Sequence, residues 1–241
     1  MTYQHMKNKS GWRRAAASLL VCAGLSAAMG GCSTTHHQQE PKNFNAFMNG
    51  LLSKLDGGSG SNPKTPLKEA ARMFDNATPD LQREAIAWLA KQPYGHDPAY
   101  LKAYQVAAEA PSPLVRGQAM LAMGTSRDPK VGPTLATGLG DKSAFVRMSA
   151  AMAAAEINNP VLISPLISAV RADPDSQVRI YAATALGYYN LRRVHRALIS
   201  VLNNPNVALA QAAWQVLHNQ TGQNLPMRSG PWHRWLESIH K

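Results

Sequence analysis

Ser176-Gln-Val-Arg-Ile-Tyr-Ala-Ala-Thr-Ala-Leu-Gly187 is one copy of a pattern that returns along the chain. Its skeleton is a branched apolar residue at i, Ala at i+4 and apolar residues at i+7 and i+8: Val178, Ala182, Ala185 and Leu186. Leu81, Ala85, Trp88 and Leu89 meet it, as do Val115, Ala119, Ala122 and Met123. So do Val146, Ala150, Ala153 and Ala154, and Leu209, Ala213, Val216 and Leu217. The starts lie 34, 31, 32 and 31 residues apart, and a fixed period of that size marks a repeat array. At 3.6 residues per turn the four positions fall in one stripe of an α-helix. A small Ala in mid-stripe lets a neighbouring helix approach closely. Leu67, Leu101, Leu135, Leu166 and Leu198 mark a second helix 11 to 14 residues before each start, so the expected unit is an αα-hairpin. Asn, Asp and Pro clusters such as Asn158-Asn-Pro160 and Asn203-Asn-Pro205 separate the helices, and no strand-like alternation of useful length appears.

Asp173-Pro-Asp-Ser-Gln-Val-Arg179 followed by Ala182-Ala-Thr-Ala-Leu-Gly187 resembles a HEAT repeat of the short bacterial type. Asp141-Lys-Ser-Ala-Phe-Val-Arg147 followed by Ser149-Ala-Ala-Met-Ala-Ala154 does the same. The type is also called HEAT-like or PBS-lyase-like, and the resemblance covers roughly residues 66–220. It implies an all-α fold, an α-solenoid of about five HEAT-like helical hairpins, closed by a C-terminal segment at 221–241. It also implies that Asp141 and Asp173, each six residues before Arg147 and Arg179, belong with those arginines to a structural Asp/Arg ladder between adjacent repeats. Arg116 has Ala110 at the corresponding place, so it is the arginine expected to be free for a partner.

The chain opens as an export signal does. Lys7, Lys9, Arg13 and Arg14 precede an apolar run from Ala15 to Ala28 that is too short to span a bilayer. Met29-Gly30-Gly31-Cys32 is similar to the lipobox of bacterial lipoproteins, which implies cleavage after residue 31 and lipidation of Cys32. Ser33, rather than Asp, after Cys32 points to the outer membrane under the enterobacterial sorting rule. Cys22 falls in the part removed, so no disulfide is expected and stability rests on packing. Removing residues 1–31, with four Lys/Arg and no Asp/Glu, leaves 21 basic and 14 acidic residues, a net charge of +7. That excess permits contact with anionic lipid, acidic polymers or acidic proteins. Residues 32–65 read as a polar tether. Within it Phe44, Phe47, Met48, Leu51, Leu52 and Leu55 form an amphipathic stripe over 44–55. So short a helix needs a surface. Docking on the first repeat is expected ahead of the membrane interface, with a partner protein third.

Chemistry-bearing constellations are few. The histidines include no i, i+4 pair and no His-Glu dipeptide, the motif by which HEAT proteins resembling deoxyhypusine hydroxylase hold a di-iron centre; no metal or other cofactor is expected. No Gly-x-Ser-x-Gly elbow and no phosphate-cradling Gly-rich loop before a helix is present. Glu156 reads as the one carboxylate in an otherwise apolar helix. After the array, 217–226 reads as a loop, and Trp232, Trp235, Leu236 and Ile239 read as one side of a capping helix. The function expected is a lipid-anchored envelope scaffold that binds proteins, without catalysis of its own and without nucleic-acid binding. An enzyme or accessory of the HEAT-like lyase type that acts on bilin chromophores is the alternative from another class, and a binder of an acidic envelope polymer is the third.

Overall fold

The computed structural model describes residues 65–75 and 78–239, the side chain of Leu67 apart. The export signal, Cys32, the tether and the stripe at 44–55 lie outside the described residues. Eleven α-helices and no strand occur among the described residues. They are α1 (Pro66–Arg72), α2 (Pro79–Ala90), α3 (Pro98–Ala107), α4 (Pro113–Thr125), α5 (Gly132–Gly138), α6 (Ala144–Ala154), α7 (Ile163–Ala172), α8 (Ser176–Ala185), α9 (Arg192–Ile199), α10 (Val207–Thr221) and α11 (Ser229–Ser238). None is long and apolar enough to cross a membrane. The chain divides into two compact units, with the boundary between Ala107 and Ala108.

In the N-terminal unit, α1 packs on α2. Thr65 caps α1 by accepting from the Lys68 N–H at 3.3 Å, and Pro66 stands where its missing N–H costs nothing. The core side of α2 is Gln82, Ala85, Ile86, Leu89 and Ala90. Leu81, expected in the stripe, is 39 % exposed, and Gln82 takes the buried place beside it. The Gln82 amide donates to the Met73 carbonyl at 3.0 Å, which satisfies the polar group that the shift buries.

In the C-terminal unit two layers form. The helices α4, α6, α8 and α10 pack one on the next, and α5, α7 and α9 lie against them, with α7 touching α9 and α9 touching α11. The Ala of each skeleton explains the inner layer. Ala119, Ala150, Ala182 and Ala213 are completely buried, as are the leading Val115, Val146, Val178 and Leu209. Each outer helix is held by its leucine: Leu135, Leu166 and Leu198 are fully buried. Asp175 caps α8 by accepting from the Gln177 and Val178 amides at 2.8 and 3.2 Å, and Asn206 caps α10 through the Leu209 amide at 3.2 Å.

Three local expectations change. Helix α10 runs through 217–221, read as loop, because it stops only where Gly222 adopts a left-handed φ of 70°. Glu156 lies in the turn after α6 and pairs with Arg127 at 3.0 Å. On α11, Trp232 is wholly buried and Leu236 nearly so, whereas Ile239 is 51 % exposed and leaves the capping face.

Candidate functional site

The charged side chains of the array meet along one edge of the C-terminal unit, where each inner helix begins. Arg116, Arg147 and Arg179 occupy equivalent positions: their amides bond Ser112, Ser143 and Asp175, the residues at the helix caps. Five residues before each leading apolar position stand Ala110, Asp141, Asp173 and Asn204. The last three make the same turn. Asp141 accepts from the Ser143 amide at 2.8 Å, Asp173 from Asp175 at 2.9 Å and Asn204 from Asn206 at 3.0 Å.

On this framework two of the three arginines reach forward to the next repeat. Arg147 forms a bidentate pair with Asp173, Nε at 2.8 Å and Nη2 at 2.9 Å, and its Nη1 donates back to the Asp141 carbonyl at 3.0 Å. Arg116 does the same with Asp141, at 2.8 and 2.9 Å, and its Nη1 donates to the Ala110 and Pro111 carbonyls, both at 2.9 Å. The expectation that Arg116 stands free for a partner is therefore overturned. The absence of a carboxylate at Ala110 does not release it, because its ion partner comes from the repeat ahead and only a backbone carbonyl is needed behind. Arg116 is 7 % exposed, and four of its five guanidinium N–H groups are hydrogen-bonded within the array.

The carboxylates respond. The Arg116 hydrogen bond holds the Asp141 carboxyl below its ordinary range, against the opposing effect of burial. Burial by itself would raise Asp173; the Arg147 bonds, the Asp175 amide and the charges of Arg147 and Arg179 more than offset it, and the net direction is downward.

Arg179 departs from the series. Its Nε donates to the Val170 carbonyl at 3.0 Å. Among the described residues no carboxylate forms an ion pair with it, since the fifth repeat supplies Asn204 in place of an aspartate.

A second, uncharged set of bonds links repeats in the same unit. Asn159 Nδ2 donates to the Pro129 carbonyl at 2.7 Å, and Gly132 leaves room for it: a Cβ there would stand 2.5 Å from that nitrogen. The Tyr189 hydroxyl accepts from the Asn159 amide at 3.1 Å and donates to the Asn159 carbonyl at 2.8 Å. Gln220 Nε2 donates to the Leu186 and Gly187 carbonyls, both at 3.0 Å. None of the three is legible in the sequence: Asn159-Pro160 reads there only as a turn, and Tyr189 and Gln220 belong to no recurring pattern.

Near the C-terminus, His195 is buried and its ring centroid lies 5.7 Å from that of Trp235. Burial lowers its pKa, against a raising contribution from Gln220. A depression of about 280 Å³ is lined by Thr184, Gly187, Ala212, Gln215, Val216 and two further uncharged residues. Among the described residues no three His, Cys, Asp or Glu side chains cluster as a metal site.

A family model described as HEAT repeats matches residues 66–155, 101–177 and 163–225. The fold is similar to a solved chain from the complex of CpcE and CpcF of phycocyanin lyase from Nostoc sp. PCC7120, with a TM-score of 0.56, 22 % identity and 70 % of each chain covered. No curated protein sequence matches the chain. The recurring skeleton, the rungs between repeats and the family match over most of the chain converge: the chain belongs to the HEAT-repeat family, and its fold is an all-α solenoid of such repeats.

Proposed function

We propose that the chain is a lipid-anchored envelope protein whose HEAT array is a protein-binding scaffold without catalysis of its own. The observation that carries the scaffold reading is the use of the charged groups. Arg116, Asp141, Arg147 and Asp173 are consumed in joining one repeat to the next, and the depression between the inner helices is lined by uncharged side chains. An array stiffened in this way offers a long surface for recognition. The anchor rests on the sequence: the basic start, the apolar run and Gly30-Gly31-Cys32. Lipidation would place the chain on a bacterial membrane, with the outer membrane facing the periplasm favoured by Ser33. The likeness to a chain that works in a two-protein complex, CpcE with CpcF, supports protein partners as the class. The same likeness supports the second reading, an accessory of the lyase type, which the export signal disfavours.

The test combines a clickable palmitate label with fractionation and envelope crosslinking, for wild type and Cys32→Ser. Label and membrane retention in wild type, both lost in the variant, with a defined set of proteins crosslinked to wild type, is the expected result. A wild-type chain that remains soluble and unlabelled removes the anchor. Labelled wild type that crosslinks nothing reproducibly removes the scaffold.

A further inference from the structure

The geometry points to Arg179 as an open rung of the ladder that binds a carboxylate from an acidic segment of a partner protein. This rests on the scaffold reading and names the chemistry of its partner. The site is defined by the filled rungs of the same chain. Arg116 and Arg147 each hold an aspartate of the following repeat in a bidentate pair. Asn204 stands where the third aspartate would stand, with the same turn to the amide two residues on. Its amide carries no charge and has one acceptor oxygen beside an NH₂ that can only donate, so it cannot fill the two-oxygen fork that Arg116 and Arg147 grip. Arg179 has accordingly turned its Nε to the Val170 carbonyl. It is half-buried, with solvent access on the edge of the unit.

The surroundings select for negative charge. Residues 176–241 hold seven Lys/Arg and one Asp/Glu, Glu237, while residues 66–175 hold eleven of each. Two further arginines, one from each segment, flank the turns at this edge. Arg171 is exposed in the last turn of α7. Arg228, also exposed, precedes Ser229, which exchanges two hydrogen bonds with Asn203, at 2.7 and 3.2 Å, on the loop that carries Asn204. Of the nearby acids, Asp173 is paired with Arg147, and Asp175 caps α8 through the Gln177 and Val178 amides and forms no ion pair with Arg179. A carboxylate is favoured over other anions because carboxylates fill the two equivalent rungs, in the fork geometry that arginine matches.

The test uses the full chain and a fluorescein-labelled oligoglutamate peptide followed by anisotropy, with an oligoglutamine peptide as control. Wild type is expected to bind oligoglutamate alone, with affinity that falls as salt rises. Arg179→Ala is expected to weaken binding about tenfold, the loss of one charge-assisted pair. Asn204→Asp should weaken it by a similar factor while raising Tm by about 2–4 °C, because the new carboxylate closes the rung from within. That opposite movement of stability and binding separates a binding role from a structural one. Binding unchanged in either variant overturns the proposal. So does binding to phosphatidylglycerol vesicles with none to the peptide, which would assign the basic end to lipid. Envelope crosslinks that persist in Asn204→Asp would discard Arg179 and leave the scaffold reading standing.

Discussion

At the scale of single residues, the chain spends its best hydrogen-bonding groups on its own continuity. Arg147 makes the point. Its side chain is 13 % exposed and that of Asp173 is 5 % exposed, so neither charge has water enough to do without the other. Arg147→Ala is expected to destabilise the chain by about 3 kcal/mol, mostly because Asp173 is left buried and unpaired. The effect has a signature in pH. The Asp173 carboxyl is held below its ordinary value, so its contribution is complete above about pH 4 and is lost as pH falls through the depressed folded-state pKa. In Arg147→Ala the hydrogen bond that lowers that pKa most is gone along with the Arg147 charge, so the pKa rises. The stability gap between the two proteins should therefore narrow in acid, and urea unfolding across a pH series measures it. A gap that stays constant down to pH 3 would refute the linkage.

Between elements, close approach governs the inner layer, and a glycine shows how close. Gly124 on α4 faces α6 so tightly that an added Cβ would lie 2.7 Å from both the Cα and the Cβ of Ala153. Gly→Ala ordinarily stabilises a helix interior by about 1 kcal/mol, and by less at Gly124, the next-to-last residue of α4. Here the sign should reverse, because the obstacle is backbone that cannot rotate away, and a loss of about 1–3 kcal/mol is expected. Thermal melting of Gly124→Ala decides between the two signs. The recurring Ala and the leading apolar residue were legible in sequence because burial of an inner helix repeats with the period. The partner of each arginine was not. The rung joins residues 25 or 26 apart, while the aspartate visible nearby in sequence stands six residues before and contributes only its backbone to the arginine that follows it. Leu81 misled for a related reason: the first repeat buries Gln82 on a carbonyl, a solution that no apolar pattern announces.

For the whole molecule, a solenoid whose repeats touch only their neighbours has its stability distributed as local terms and interfaces. The open end of such an array is its weak point, and α11 covers it by packing on α9. Trp232 is completely buried there, with its indole N–H donating to the Pro226 carbonyl at 3.1 Å and its ring meeting Trp235 edge-on at 5.8 Å. Trp232→Ala should cost about 3–5 kcal/mol, through the cavity left and the apolar surface uncovered on α9. Ile239→Ala, at the 51 % exposed end of the same helix, should change stability by less than about 0.5 kcal/mol. The loss at Trp232 should also be graded along the chain. Hydrogen exchange is expected to quicken first in α9 and α10, while α4 and α6, joined by Arg116 to Asp141 and by the close contact at Gly124, retain most of their protection. Equal loss of protection from α4 to α10 would mean that the C-terminal unit unfolds as one cooperative block, and the neighbour-by-neighbour description of its stability would have to be abandoned.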